Sequence, residues 1–118
     1  MPSRTPQATA EAYFEAWRDK DFSALRELLH DDVTFQGPFD SFDNAVALIA
    51  AITPLSGMVK TLEARSILAE GQDVCIIYDL VPVKDVPSVE ITETYTVTGD
   101  KVTAISVTFD TAEFFAIF

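Results

Sequence analysis

The chemistry this chain could perform starts from one carboxylate in a costly place. In the stretch 89–98, Val89, Ile91, Glu93, Tyr95 and Val97 share one parity, and Glu90, Thr92, Thr94, Thr96 and Thr98 share the other. Side chains alternate across a strand, so the first set is the face that buries. Glu93 then stands between Ile91 and Tyr95 on the apolar side. A carboxylate there loses its hydration unless it is paired, hydrogen-bonded or protonated. Read as chemistry, it is a tuned acid in an apolar pocket. Read as structure, it is a carboxylic acid tied to a neighbour, or a point where the sheet is open. The strand alone leaves both standing.

The other candidates are aromatic or acidic. Ala10, Tyr13, Phe14 and Trp17 recur at i, i+3, i+4 and i+7, one stripe of a helix. The polar tips of Tyr13 and Trp17 need partners when buried, so both either face a pocket or simply pack in the core. Tyr78 and Asp79 are neighbours on an apolar strand and point to opposite faces; with Tyr78 inward, Asp79 is outward. Asp40 follows Gly37-Pro38-Phe39 in a loop, where it either serves a pocket rim or caps the next helix. Asp110 follows the last strand and lines a rim or ends the strand. His30-Asp31-Asp32 is read as a solvated turn, because adjacent residues at a helix end rarely converge on one ion and no other histidine exists.

Missing patterns narrow the field. The chain has no GxGxxG, P-loop, CxxC or GxSxG, so dinucleotide cofactors and phosphate cradles have no support and no cofactor is expected. Eight Lys and Arg against 19 Asp and Glu give a net charge of −11. Nucleic acid and anionic membrane surfaces both demand cations, so neither is an expected partner. Cys75 is the single cysteine, which excludes an internal disulfide and a multi-cysteine metal site. The first residues lack an apolar signal-peptide core, and the longest apolar run, 45–52, is far below the ~20 residues a bilayer span needs. A cytoplasmic location is the expectation.

The elements that position these residues follow from period. At 118 residues, one domain spanning 1–118 is expected, and 48% hydrophobic content supports a core. Thr5-Pro6 starts a helix running to about residue 20. Asp21 caps a short second helix with Leu25, Leu28 and Leu29, closed by His30-Asp31-Asp32. Residues 33–36 form a short strand ended by Gly37-Pro38. Ser41 or Asp43 starts a third helix, ended at Ile52 by Thr53-Pro54. From residue 58 the period becomes two, with strands at 58–68, 74–83, 89–98 and 101–109 and a Gly99-Asp100 hairpin turn. Helices first and an antiparallel meander later indicate an α+β fold, with the helices on one face of a curved sheet.

Three segments carry a family resemblance: Ala12-Tyr13-Phe14-Glu15-Ala16-Trp17 with Lys20-Asp21-Phe22; Leu28-Leu29-His30-Asp31-Asp32-Val33-Thr34-Phe35; and Val97-Thr98-Gly99-Asp100-Lys101-Val102 through Val107-Thr108-Phe109-Asp110. The chain resembles the nuclear transport factor 2-like superfamily, which includes ketosteroid isomerase and SnoaL-like polyketide cyclases. The resemblance implies a cone-shaped curved antiparallel sheet with three N-terminal helices on its concave side. It sets Tyr13 at the place of the isomerase's oxyanion tyrosine and Glu93 at that of its protonated acid, a pairing used as a standard example of a neutral carboxylic donor. The isomerase's base position is Gly37 here, and Asp40, three residues on, is the nearest carboxylate.

The expected function is therefore a pocket for a small apolar molecule, with proton-transfer chemistry on a carbonyl compound: isomerisation, cyclisation or dehydration. Tyr13 and Glu93 would stabilise an oxyanion, and Asp40, or else Asp110, would be the base. Phe14, Trp17, Phe35, Tyr78, Tyr95 and Asp110 would line the ligand. The alternative is a binding or interaction domain without catalysis. A homodimer through the outer sheet face is expected, because the 74–83 strand is apolar on both faces and relatives dimerise there. The Phe-rich end, 114–118, is expected to fold back over the mouth of the cone or onto a partner.

Overall fold

The computed structural model describes residues 5–116. Thr5 caps α1 (Pro6–Arg18), its Oγ1 accepting from the Ala8 N–H at 3.1 Å, with Pro6 in the first turn where a missing N–H costs nothing. Lys20 closes the link to the next helix in the left-handed region, φ 59°. Asp21 caps α2 (Phe22–Leu28), accepting from the Ala24 N–H at 3.2 Å.

The chain enters β1 (Leu29–Gln36) directly, so His30-Asp31-Asp32 opens a strand and does not close a helix. Leu29 and Val33 are buried, while the three polar residues are exposed. The register against the neighbouring strand shifts between Leu29 and Thr34, which lets Asp31 swing outward to the Arg26 guanidinium at 2.5 Å. A two-residue β2 (Ser41–Phe42) pairs back on β1, with Phe35 opposite Phe42. Asn44 caps α3 (Ala45–Ser56), a task expected of Ser41 or Asp43. Nor does Thr53-Pro54 end this helix. Pro54 lies in its last turn, where Ser56 Oγ bonds the Thr53 carbonyl at 2.7 Å and Gly57 takes the cap.

Then come β3 (Val59–Glu70), β4 (Asp73–Pro82), β5 (Val89–Thr98), β6 (Lys101–Phe109) and a fourth helix, α4 (Thr111–Phe115). Gly71 and Gly99 supply the positive φ, 59° and 63°, at the two hairpin turns. The sheet order is β2-β1-β6-β5-β4-β3. Through α3 the chain crosses to the far edge and meanders back, so β6 arrives beside β1 running parallel to it. The sheet is therefore mixed, where a wholly antiparallel one was expected. Register shifts within β3 and between β5 and β6 bend it.

The inner face of the sheet is continuous with the helices. α1 packs across β3 to β6, α2 on β1 and β6, and α3 on β1 to β3. Leu25, Val33, Leu48, Val74, Ile76 and Tyr95 are among the fully buried members of one core cluster. Tyr78 points inward and Asp79 outward, where Asp79 sits 3.5 Å from Arg65, which also binds Glu90 at 2.5 Å. Among the described residues, no helix is long and apolar enough to cross a membrane.

Candidate functional site

Glu93 is on the inner face of β5, opposite Ile76 of β4 and Val107 of β6, and only 5% exposed. Alternation puts it there, and its two apolar cross-strand neighbours give its charge nothing. Burial pushes its pKa up to about 7. The Tyr78 hydroxyl, donating to Oε1 at 2.7 Å, opposes that rise by stabilising the carboxylate. Tyr95 pulls the same way more weakly; its hydroxyl lies near Glu93 but makes no well-formed hydrogen bond.

Three phenols surround this acid. Tyr13 of α1 meets Tyr95 edge to face, ring centroids 5.5 Å apart. Phe14, one residue on, meets Tyr78 in the same way at 5.1 Å. All three tyrosines are held well above their ordinary pKa, first by burial and then by the Glu93 charge, so they stay protonated donors. The Tyr13 hydroxyl and the Trp17 indole make no hydrogen bond to any described residue.

A cavity of about 130 Å³ opens onto Glu93. Tyr13, Trp17, Tyr78, Ile91 and Glu93 form its floor, α3 contributes Ile52 and Leu55, and Phe35 and Val107 line the side. Its mouth is made of Gly37, Pro38, Phe39 and Asp40 with Phe109 and Phe114. Among the described residues, no lysine, arginine or histidine lines it, so none of them offsets the burial of Glu93 with a positive charge. A larger recess of about 690 Å³ lies between α1, α2 and the β5–β6 turn. Exposed Glu15, Asp19, Asp21, Glu27 and Asp100 line it, with Lys101 tied to the Glu27 carbonyl. That surface is acidic, unsuited to an apolar molecule, whereas the smaller cavity is lined mainly by apolar and aromatic side chains around a few polar groups. No group of three or more metal-ligating side chains occurs among the described residues.

Of the residues singled out from sequence, Tyr13, Trp17, Phe35, Asp40, Tyr78 and Glu93 share this cavity. Phe14 and Tyr95 stand behind its wall, against Tyr78 and Tyr13. Asp40 is exposed at the rim, its backbone carbonyl accepting from the Gly37 N–H at 2.9 Å, and α3 is capped by Asn44 instead. Asp110 caps α4, its Oδ1 accepting from the Glu113 N–H at 3.1 Å, and is not part of the cavity wall. Sequence reading missed Ile52, Leu55, Phe39 and Phe109 as lining residues, and it missed the α4 helix that carries Phe114. A signal existed for that helix: Asp110 followed by Glu113 is a helix-start pattern. Of the Phe-rich end, Phe114 folds over the mouth, while Ile117 and Phe118 lie outside the described residues.

A curved α+β cone with helices on its inner face, enclosing a small cavity, defines a nuclear transport factor 2-like protein. Within that class the chain belongs to the SnoaL-like family, whose domain profile matches residues 10–105. Among solved structures, a protein from Kribbella flavida DSM 17836 superimposes with TM-score 0.86 at 25% identity, covering 94% of this chain and 91% of that one. An NTF2-like protein of unknown function from Cytophaga hutchinsonii ATCC 33406 gives 0.80 at 20% identity, over 98% and 99%. An LEH-like epoxide hydrolase of M. tuberculosis gives 0.79 at 18%, over 95% and 87%. The last two likenesses are of fold. No curated protein matches significantly in sequence.

Proposed function

We propose that the cavity binds a small apolar molecule through a carbonyl oxygen and moves a proton on it. The observation that supports this reading is Glu93: a carboxylic acid buried at the floor of a cavity, held by Tyr78 at 2.7 Å and poised near neutrality. An acid with a pKa near the working pH suits proton transfer. In its neutral form Glu93, together with the Tyr13 hydroxyl, donates to the carbonyl oxygen and stabilises the enolate that forms. Asp40 at the rim receives the proton from the α-carbon. A second reading, a carrier or sensor without catalysis, draws on the exposure of Asp40, which keeps that carboxylate solvated.

Deuterium exchange separates the two. Cyclohexanone has seven heavy atoms and suits the cavity's size. The enzyme reading expects the protein to accelerate exchange of its α-hydrogens in heavy water, with Glu93→Gln reducing the rate at least ~100-fold. Binding of cyclohexanone without acceleration would leave the carrier reading; neither binding nor exchange would sink both.

The proposal extends to a homodimer. On the outer sheet face, half-buried Cys75, Ile77 and Val81 of β4 adjoin Leu68 of β3, which is 62% exposed. A second copy would cover this strip. Light scattering should then report about 26 kDa, twice the 13.0 kDa chain, and a value of one chain mass would refute the pairing.

A further inference from the structure

The cavity's floor and its mouth belong to different parts of the fold. Phe39 comes from the β1–β2 loop and Phe114 from α4, a helix of five residues with none buried. Phe39 is 47% exposed, and its ring stands 5.8, 5.9 and 4.9 Å from those of Phe109, Phe114 and Phe115. Phe114 stacks on Phe109 at 4.3 Å. Phe39 is thus held by Phe109, Phe114 and Phe115, and neither Phe39, Phe114 nor Phe115 is a member of the core cluster. Segments with little buried apolar contact open at low cost.

Size supplies the second half of the argument. A dry apolar cavity of ~150 Å³ holds one benzene ring. The present cavity, about 130 Å³, matches a single ring while Phe39 and Phe114 stay in place. We propose that Phe39 and Phe114 are specificity-determining residues, an aromatic plug that parts to admit a ligand and closes again only over a single ring, so that two-ring ligands are disfavoured until the plug is cut back. This rests on the cavity being a ligand site, as argued above.

The test uses the full chain and two probes, phenol and 2-naphthol, which carry the same hydroxyl on one ring and on two fused rings. Trp17, the only tryptophan, lines the cavity, so its indole N–H resonance in ¹H–¹⁵N spectra reports occupancy. The unaltered chain should bind phenol at least tenfold more tightly than naphthol. Phe39→Ala, and Phe39→Ala combined with Phe114→Ala, should shift that ratio at least tenfold toward naphthol. Phe39→Tyr, which keeps the ring, should retain the original preference. Phe39 is half outside the protein, so its single variants are expected to fold; melting curves check this. Variants that bind phenol with an unchanged ratio overturn the plug and leave the ligand site intact. If neither probe moves the Trp17 resonance in any variant, the ligand site itself is refuted and the plug with it.

Discussion

The floor and the mouth of the cavity are both built from aromatic rings, held in opposite ways. At the floor and just behind it, Tyr13, Tyr78 and Tyr95 are 1%, 6% and 0% exposed, each fixed on α1 or on a central strand. At the mouth, Phe39 and Phe115 are 47% and 64% exposed, and they lie on a loop and a five-residue helix. Equal rings therefore differ in what removing them costs. The floor is a preorganised set of donors around one acid; the mouth is a patch of rings that can part. Such a division suits a site whose chemistry needs fixed geometry and whose ligand still has to enter.

The largest expected effect is just behind the floor. Tyr95→Ala removes a wholly buried ring from between Tyr13 and the sheet, and should destabilise the fold by about 3–5 kcal/mol in urea unfolding. A loss below ~1 kcal/mol would show that the floor collapses as easily as the mouth, and the contrast would fail.

The next effect is the pH dependence that Glu93 imposes. Its pKa rises from 4.5 unfolded to about 7 folded. Between those values the folded state keeps a proton that the unfolded state gives up, so stability falls as pH rises through the window. The full loss, from well below 4.5 to well above 7, is about 3 kcal/mol. Self-repulsion of a chain carrying −11 has the same sign, so the comparison with Glu93→Gln isolates the residue. Glu93→Gln should match the unaltered protein near pH 4 and exceed its stability by about 3 kcal/mol near pH 8. Parallel stability curves for the two proteins would show that Glu93 titrates alike in both states.

A smaller change tests how the floor sets that acid. Tyr78→Phe deletes the 2.7 Å hydrogen bond that favours the carboxylate. The Glu93 midpoint, followed by carbon-detected NMR, should move above about 7, with a stability loss near ~1 kcal/mol. A midpoint that falls instead would mean that the Tyr78 hydroxyl favours the neutral acid over the carboxylate.

The same contrast separates what was legible in the sequence from what was not. The β5 and β6 bounds, the inward set Ile91, Glu93 and Tyr95, and the opposite facing of Tyr78 and Asp79 follow from a period of two, because side chains alternate across a strand. The α1 stripe follows from a period of 3.6 in the same way. The mouth has no period. Phe39, Phe114 and the α4 helix are set by one cap, Asp110, and by rings distant in sequence finding one another. Where tertiary contacts overrode local rules, reading also slipped: β1 absorbs His30-Asp31-Asp32 at a bulge, and α3 carries Pro54 through its last turn. The parallel pairing of β1 with β6 depends on where the chain crosses the sheet, which no local pattern records.

The smallest predicted effect is at the mouth, and it decides the comparison. Phe115 lies over Phe39 at 4.9 Å yet is 64% exposed, in a helix with no buried residue. Phe115→Ala should change unfolding stability by no more than ~0.5 kcal/mol, as surface substitutions away from a core do. The same ring chemistry deleted at Tyr95 costs several times more, because there the whole ring has left water and the surrounding side chains cannot collapse into the space. Urea unfolding of the two alanine variants, side by side, reads the ratio directly. If Phe115→Ala costs more than ~1.5 kcal/mol, the rings at the mouth are anchored as firmly as those at the floor, and a plug that parts for its ligand loses its physical basis.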